Sequence, residues 1–454
     1  MTHQFTLFGQ NIAVDPNSAS IHIVDDAARE AISLFELLPG GEFAAALSRA
    51  RPELSPGDID ELLRDIAALR DSGKLFVPKL PSVAPERMAR RDIKALCLHV
   101  AHVCNLRCDY CFAGQGEYRG EAALMSAPVA RRAIDFLVEN SGSKRNLEVD
   151  FFGGEPLLNF GVIEETVAYA RSLETGHNKT FRFTLTTNGV LLDDGVTDFC
   201  NREISNVVLS LDGRREIHDA RRRSGARGSY DLILPKLLRF REKRGARSYY
   251  VRGTYTAANL DFARDIFHIA DLGFTELAME PAVLPRDHPL AIRDGHLPAL
   301  YEQYEILALE MAKRAREGRE FRFYHYMLDF ENGPCLPKRL GGCGSGTEYF
   351  AVAPEGTLYP CHQLVGETEY AAGDIFSGVR ADFLFRRECV ARREECQSCW
   401  AKLYCAGGCA ANAIHERGDI NGVSELGCAL FRKRMECAIW FHCAAEMNSP
   451  FLQQ

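Results

Sequence analysis

The feature that most constrains this chain is an alternation. From Ala95 onward six apolar, β-rich segments, "ALCLHVAH", "LEVDFFGG", "FRFTLTTNG", "NVVLSLDG", "YYVRGTYT" and "ELAMEPAV", are separated by helical stretches such as "APVARRAIDFLVENSG" and "FGVIEETVAYARSL". Strands that are apolar along their whole length need cover on both faces of a sheet, and helical crossovers between them require parallel pairing. Six such units predict an α/β fold with a partial (β/α)6 barrel over residues 93–318. In barrels of this kind the site lies at the carboxyl ends of the strands. Each segment here ends in polar or glycine-rich residues, which suits that placement.

The flanks read differently. The first eighty residues carry short alternating segments, "FTLFG", "NIAVD" and "SIHIVD", and then "DDAAREAISLFELL" and "SPGDIDELLRDIAALRDSGKLFV" with apolar residues at helical spacing. This predicts a winged-helix-like α+β module over residues 1–80, joined by a proline-containing linker, Pro78 to Asp92. Past about residue 320 the regular alternation fades, and cysteines crowd in among glycines between Cys335 and Cys428. Residues 319–454 therefore read as a cysteine-rich domain that metal ligation stabilises, because long apolar runs are few.

Sixteen cysteines without a signal peptide do not suggest a disulfide framework, since the cytosol keeps thiols reduced. Cys97 and Cys200, inside apolar patterns, and Cys389, Cys437 and Cys443, without a partner at ligand spacing, read as small core residues. The remainder read as metal ligands. A net charge of -8 argues against nucleic acid as a partner, and the triplet Arg221 to Arg223 reads as a solvated surface. No apolar run is long enough to span a bilayer. The expectation is a soluble, cytoplasmic protein with neither a membrane nor a nucleic-acid partner.

The chemistry centres on "HVCNLRCDYCFAG", where Cys104, Cys108 and Cys111 follow the first barrel strand as C-x3-C-x2-C. Zinc takes four protein ligands in a closed site; His99 and His102 are available, but the strand pattern turns them inward as core positions. A cubane iron–sulfur cluster held by three thiolates instead leaves one iron open to a chelating molecule. "GGEP" ends the second strand, "TTNG" the third and "SLDG" the fourth. Each of these alone is equally a tight turn.

Taken together, the cysteine motif after the first strand of a partial barrel resembles the radical S-adenosylmethionine (radical SAM) superfamily. The resemblance implies that the open iron chelates the amino and carboxylate groups of S-adenosylmethionine. It implies a cofactor pocket built from Phe112, Gly153, Gly154, Glu155, Thr187, Asn188, Ser210 and Asp212, with Arg222 pairing the cofactor carboxylate. Cys343, Gly356, Cys361, Cys396, Cys399, Cys405, Cys409 and Cys428 stand at spacings similar to the seven-cysteine SPASM signature of radical enzymes that modify peptides. That implies two auxiliary clusters, one on Cys396, Cys399, Cys405 and Cys428 and the other on Cys343, Cys361 and Cys409. Cys335 is the candidate for a fourth ligand of the latter, and the total is three 4Fe-4S clusters. Structural stapling is the blander role for the auxiliary pair.

Longer stretches, "RNLEVDFFGGEPLLNF", "EYFAVAPEGTLYPCHQLVG" and "CWAKLYCAGGCAANA" among them, resemble the maturases of SCIFF peptides, short cysteine-rich precursors. The implied function is an oxidoreductase-type maturase that joins a cysteine sulfur to a carbon of another residue, typically threonine, as a thioether. The implied partners are a precursor whose leader adds a strand to a PqqD-like module at residues 1–80, and a one-electron donor such as flavodoxin or ferredoxin. Alternatives are a carbon–carbon crosslink, a sulfatase-type oxidation, or a non-catalytic metal-binding scaffold. Related sulfatase maturases place an aspartate base after the cysteine that follows the glycine; here that position is His362, a candidate proton acceptor or a buried structural histidine.

Overall fold

The computed structural model of the protein describes residues 1–38, 42–79, 92–328, 336–385 and 387–447. Most of the linker and Cys335 lie outside the described residues. Strands β1 (His3–Leu7), β2 (Gln10–Val14) and β3 (Ile21–Val24) form an antiparallel sheet in that order, followed by α1 (Asp26–Leu37), α2 (Phe43–Ala50) and α3 (Pro56–Asp71). Phe8 and Gly9 take φ of 47° and 75°, the two-residue turn whose twist suits a hairpin. Helix α3 starts on a capping box in which Ser55 and Asp58 exchange hydrogen bonds, with Pro56 in the first turn. Every residue of β2 is buried: Ala13 meets the three helices, while Ile12 and Val14 join the main core.

Strand β4 (Ala95–Ala101) is buried at all seven positions, and the short β5 (Arg107–Cys108) lies in a separate small sheet. Helix α4 (Ala127–Asn140) leads to β6 (Asn146–Gly153), α5 (Phe160–His177) to β7 (Thr180–Thr187) and α6 (Asp194–Glu203) to β8 (Asn206–Ser210). Helix α7 (Arg215–Arg221), the hairpin β9 (Arg222–Ser224) and β10 (Arg227–Gly228), and α8 (Tyr230–Arg244) precede β11 (Tyr249–Tyr255). Helix α9 (Phe262–Asp271) leads to β12 (Glu276–Pro281), and α10 (Leu297–Arg316) to β13 (Arg322–Phe323). Strands β4, β6, β7, β8, β11 and β12 pair in parallel in that spatial order, the six units that the apolar runs demand.

The sheet does not stop there. β13 adds a short parallel strand beside β12. After α11 (Leu336–Gly341), β14 (Tyr349–Val352) pairs in parallel with β4 at the other edge. β15 (Thr357–Tyr359), β16 (Gly373–Asp374) and β17 (Gly378–Val379) continue antiparallel, so an 11-stranded sheet runs from the barrel into the cysteine-rich segment. Helices α12 (Glu394–Gln397), α13 (Lys402–Cys405) and α14 (Ala410–Arg417) precede α15 (Glu425–Met447), which packs in the main core through Trp440. Against the N-terminal sheet, Trp440 meets the Phe8 ring edge-on at 4.6 Å, and Glu436 lies 2.9 Å from His3 Nε2. Cys97, Cys200, Cys389, Cys437 and Cys443 are buried, the first two from apolar patterns and the other three without a partner at ligand spacing in the sequence. Among the described residues no helix is long and apolar enough to cross a membrane.

One buried cation ties the outer layer together. Arg244, 1% exposed, donates to the carbonyls of Cys200 at 2.7 Å, Ile204 at 2.8 Å and Ser248 at 2.7 Å, joining the ends of α6 and α8. Arg244→Met would remove the guanidinium donors of the Ile204 and Ser248 carbonyls and leave the Cys200 carbonyl with Ile204 N alone, and should cost about 2 kcal/mol in denaturant unfolding. Arg244→Lys should restore little, because a single ammonium cannot span what the planar fork reaches.

Candidate active site

The chain leaves β4 in a loop that presents Cys104, Cys108 and Cys111 to a cavity of about 210 Å³. The turn after β6 lies directly on this loop: Gly154 N donates to Ala101 O at 2.8 Å and Glu155 N to Val103 O at 2.9 Å. Nothing larger than glycine fits there. A Cβ on Gly153, whose φ is 129°, would stand 2.2 Å from Ala101 O, and one on Gly154 would stand 2.2 Å from Val103 O. Tyr118 Oη donates to Gly153 O at 3.0 Å and closes the loop from the far side.

Glu155 is fully buried and accepts from Thr187 Oγ1 at 2.8 Å, Asn188 N at 2.8 Å and Leu157 N at 3.1 Å, so it locks the end of β7 to the turn after β6. Asn188 Nδ2 reaches back to Asn105 Oδ1 at 2.8 Å, in the cysteine loop. Arg222 comes from β9, directly opposite Cys108 on β5. Its Nη1 donates to Tyr110 Oη at 3.1 Å and lies 3.4 Å from Asp212 Oδ1, while Tyr110 Oη donates to Asp212 Oδ2. The Nε of Arg222 is buried without a partner among the described residues. Arg221 and Arg223 instead turn outward to Asp109.

The single cavity thus gathers Phe112, Gly153, Gly154, Glu155, Thr187, Asn188, Ser210, Arg222 and His362 with the three cysteines. Asp212 is not on its wall: the strand ends at Ser210, and the Asp212 carboxylate lies behind Arg222, accepting from Thr254 N at 3.1 Å. Residues 98–277 match the Radical SAM superfamily. The chain carries a radical SAM domain.

Comparison extends beyond that domain. The cysteine-type anaerobic sulfatase-maturating enzyme of Clostridium novyi is 25% identical over 360 residues, which is 73% of this chain and 91% of that protein. An uncharacterised protein of Methanocaldococcus jannaschii, MJ0907, is 32% identical over 127 residues, 28% of this chain, and the match spans only 41% of that protein. Among solved structures, anSMEcpe with bound AdoMet superposes with a TM-score of 0.64 at 18% identity, over 78% of this chain and 100% of that one. Streptococcus suis SuiB superposes with a TM-score of 0.52 at 14% identity, over 94% and 98%. At these identities the two structures speak to the fold.

The radical SAM domain has a second wall that its motifs do not announce. Arg252 of β11 and Glu280 of β12 also line the cavity. Burial opposes the charge of Glu280, but His325 at 2.8 Å, Arg434 at 3.7 Å and nearby Arg252 bring it down to about 2. Arg434 comes from α15, far away in sequence, so only the folded chain brings the two together. His362 is pushed down to about 4 by burial and by Arg252, which leaves its imidazole neutral. Its Nδ1 lies 3.5 Å from Tyr349 Oη, and its ring is 5.9 Å from that of Phe112.

The donor set suits an iron–sulfur cluster. Burial pushes the Cys108 thiol up to about 12 and raises that of Cys104, so three ionised sulfurs side by side need a cationic core to offset their charge. Among the described residues no group of three His, Cys, Asp or Glu side chains converges on a single metal ion; cubane thiolates bind separate irons and need not converge. In the C-terminal segment Cys396, Cys399, Cys405 and Cys428 lie close enough for their charges to act on one another, as do Cys343, Cys361 and Cys409. Cys361 directly precedes His362 on the cavity wall.

Burial lifts Glu155 from 4.5 to about 7, although its three hydrogen bonds pull the other way. A carboxyl with a raised folded-state pKa contributes stability that is complete below 4.5 and is lost as the pH rises through about 7. In cofactor-free protein the advantage of wild type over Glu155→Gln should therefore shrink by about 3 kcal/mol across that window, measured by denaturant unfolding at each pH.

Proposed function

We propose that the protein is a radical SAM maturase that installs a thioether between a cysteine sulfur and a carbon of another residue, typically threonine, in a ribosomally made cysteine-rich precursor. The observation that carries this reading is one cavity walled by the three-cysteine loop on one side and by His362, next to auxiliary ligand Cys361, on the other. The C. novyi relative is named for maturing a sulfatase, and its match spans 73% of this chain, more than the barrel alone. The leader of the precursor is assigned to residues 1–80. β3 lies at the edge of its three-stranded sheet, where an extended peptide can add a strand.

In this reading Cys104, Cys108 and Cys111 would hold the first cluster, and the turn at Gly153–Glu155, Thr187, Asn188 and Ser210 would hold S-adenosylmethionine. Bound together, the two supply one-electron chemistry that removes a hydrogen atom from a side-chain carbon. The protein's own residues do the positioning. Arg222, held by Tyr110 and Asp212, keeps its Nε toward a carboxylate. Glu155 fixes the turn that carries the cofactor contacts, and Phe112 and Phe152 provide apolar walls that exclude water. His362 stands on the wall as the candidate proton acceptor, and because burial and Arg252 push it down to about 4, it takes a hydrogen bond from the cysteine thiol more readily than the proton itself. Cys343, Cys361 and Cys409, with Cys335 as candidate fourth ligand, and Cys396, Cys399, Cys405 and Cys428 would hold the auxiliary clusters, whose chemistry would supply an acceptor for the surplus electron.

Sulfatase-type oxidation is the second reading, favoured by the extent of the C. novyi match. Co-expression with the peptide encoded beside the gene, followed by alkylation and mass spectrometry, separates them. A thioether removes two hydrogens and one alkylatable thiol per crosslink. A mass loss with all thiols still alkylatable points to a carbon–carbon bond, and a new carbonyl points to sulfatase-type chemistry. Changing Cys104, Cys108 and Cys111 together to alanine should remove about a third of roughly 12 irons per chain in anaerobically reconstituted protein, together with all cofactor cleavage.

A further inference from the structure

The triplet Arg221–Arg223 finds only part of its use in the cavity. Strands β10, β9 and β5 form a small antiparallel sheet whose register sets Cys108 opposite Arg222 and Arg107 opposite Arg223. Directly opposed residues of an antiparallel pair share a face, so Arg222 and Cys108 turn inward while Arg107 and Arg223 share the outer face. Like charges placed opposite one another in this way are destabilising. Asp109 relieves one of the two: Arg223 Nη2 contacts it at 3.0 Å, and Arg221 Nη1 shares it at 3.5 Å. Arg107 is exposed and pairs with no carboxylate among the described residues, and neither does exposed Arg227 at the hairpin end.

At Arg107 this face borders an open groove that also includes Asp109, Glu117 and Arg221. Cys108 and Cys111 line both that groove and the cavity inside. The cysteine loop is therefore a thin wall with the reaction cavity on one side and this groove on the other. The chain as a whole is acidic, with 62 carboxylate side chains against 54 Lys and Arg. An acidic protein approaching it is repelled on average, and a local basic face decides where contact occurs.

We propose that the outer face of this small sheet is the docking surface for an acidic protein that carries one electron at a time. The inference rests on the reading above that Cys104, Cys108 and Cys111 hold a redox cluster. On docking, the reduced carrier gives up one electron and the cluster gains it, with no proton or atom exchanged. Arg107 and Arg223 supply the attraction, and the groove lets the carrier reach the cysteine loop while peptide and cofactor fill the cavity behind it.

The test uses the full chain, anaerobically reconstituted, with an acidic flavodoxin as probe and a basic cytochrome c of similar size as control. Calorimetry with oxidised flavodoxin should show binding that weakens as salt is raised. It should weaken by about tenfold in the double variant Arg107→Gln/Arg223→Gln and largely recover in Arg107→Lys/Arg223→Lys. Stopped-flow reoxidation of reduced flavodoxin should slow by a similar factor in the Gln variant, while dithionite-driven cofactor cleavage stays at the wild-type rate and shows that the fold is intact. Unchanged flavodoxin affinity in the Gln variant overturns the proposal, as does equal binding of the basic cytochrome. So does a loss confined to precursor-peptide affinity, which would assign the face to an acidic stretch of substrate. If wild type itself fails to cleave the cofactor with dithionite, the functional reading falls, whereas the charge dependence of flavodoxin binding is measured independently of it.

Discussion

The site depends on how closely two backbones approach. The turn after β6 lies on the cysteine loop through hydrogen bonds from Gly154 N and Glu155 N, and it can do so because Gly153 and Gly154 carry no Cβ. Once the turn is seated, the Glu155 carboxylate is buried with nowhere to go except Thr187, Asn188 and Leu157. An unpaired carboxylate there would be costly, so the three donors are obligatory rather than decorative. Through them the ends of β6 and β7 are fixed relative to the cysteines. Asn188 then returns to Asn105 and closes the circuit. Preorganisation of this kind matters for radical chemistry, because a reactive centre in a loose cavity meets water or the wrong carbon first.

The barrel is legible in the sequence for a physical reason. Strands covered on both faces must be apolar throughout, and β4, buried at every position, shows the rule at its strictest. The triplet "RRR", read as a solvated surface, misleads at its middle residue: Arg222 is buried where helix gives way to strand, while Arg221 and Arg223 turn outward to Asp109. Other features leave no local trace. β14 is four residues long, and its parallel pairing with β4 joins segments more than two hundred residues apart, so the extension of the sheet into the cysteine-rich segment is a tertiary fact. Asp212 misleads because an Asp-Gly pair at a strand end looks like pocket chemistry. The strand stops two residues earlier, and the side chain serves Arg222 from behind. Glu280, His325 and Arg434 come from three separate elements, and none of them stands in a motif.

That last cluster shows how the cysteine-rich segment acts on the cavity beyond the wall it supplies at His362. Along α15, Lys433, Glu436 and Trp440 recur at spacings of three and four, and they meet Glu305 of α10, His3 and Phe8. The neighbouring stripe, Arg434, Cys437 and Phe441, has the same spacing and faces the barrel, where Arg434 approaches Glu280 and Phe441 lies 6.4 Å from the Tyr326 ring. A helix with partners on two sides shows a weak amphipathic pattern, and so its sequence reads as unremarkable although it is buried between two bodies. The near end of this helix bears Cys428, grouped with Cys396, Cys399 and Cys405. Whatever holds those four sulfurs together also fixes where α15 begins and thus where Arg434 stands. Glu280 is ionised on the cavity wall because Arg434 and His325 are in place. The charge that lines the far side of the cavity is in this sense set by the C-terminal cysteines, through one rigid helix.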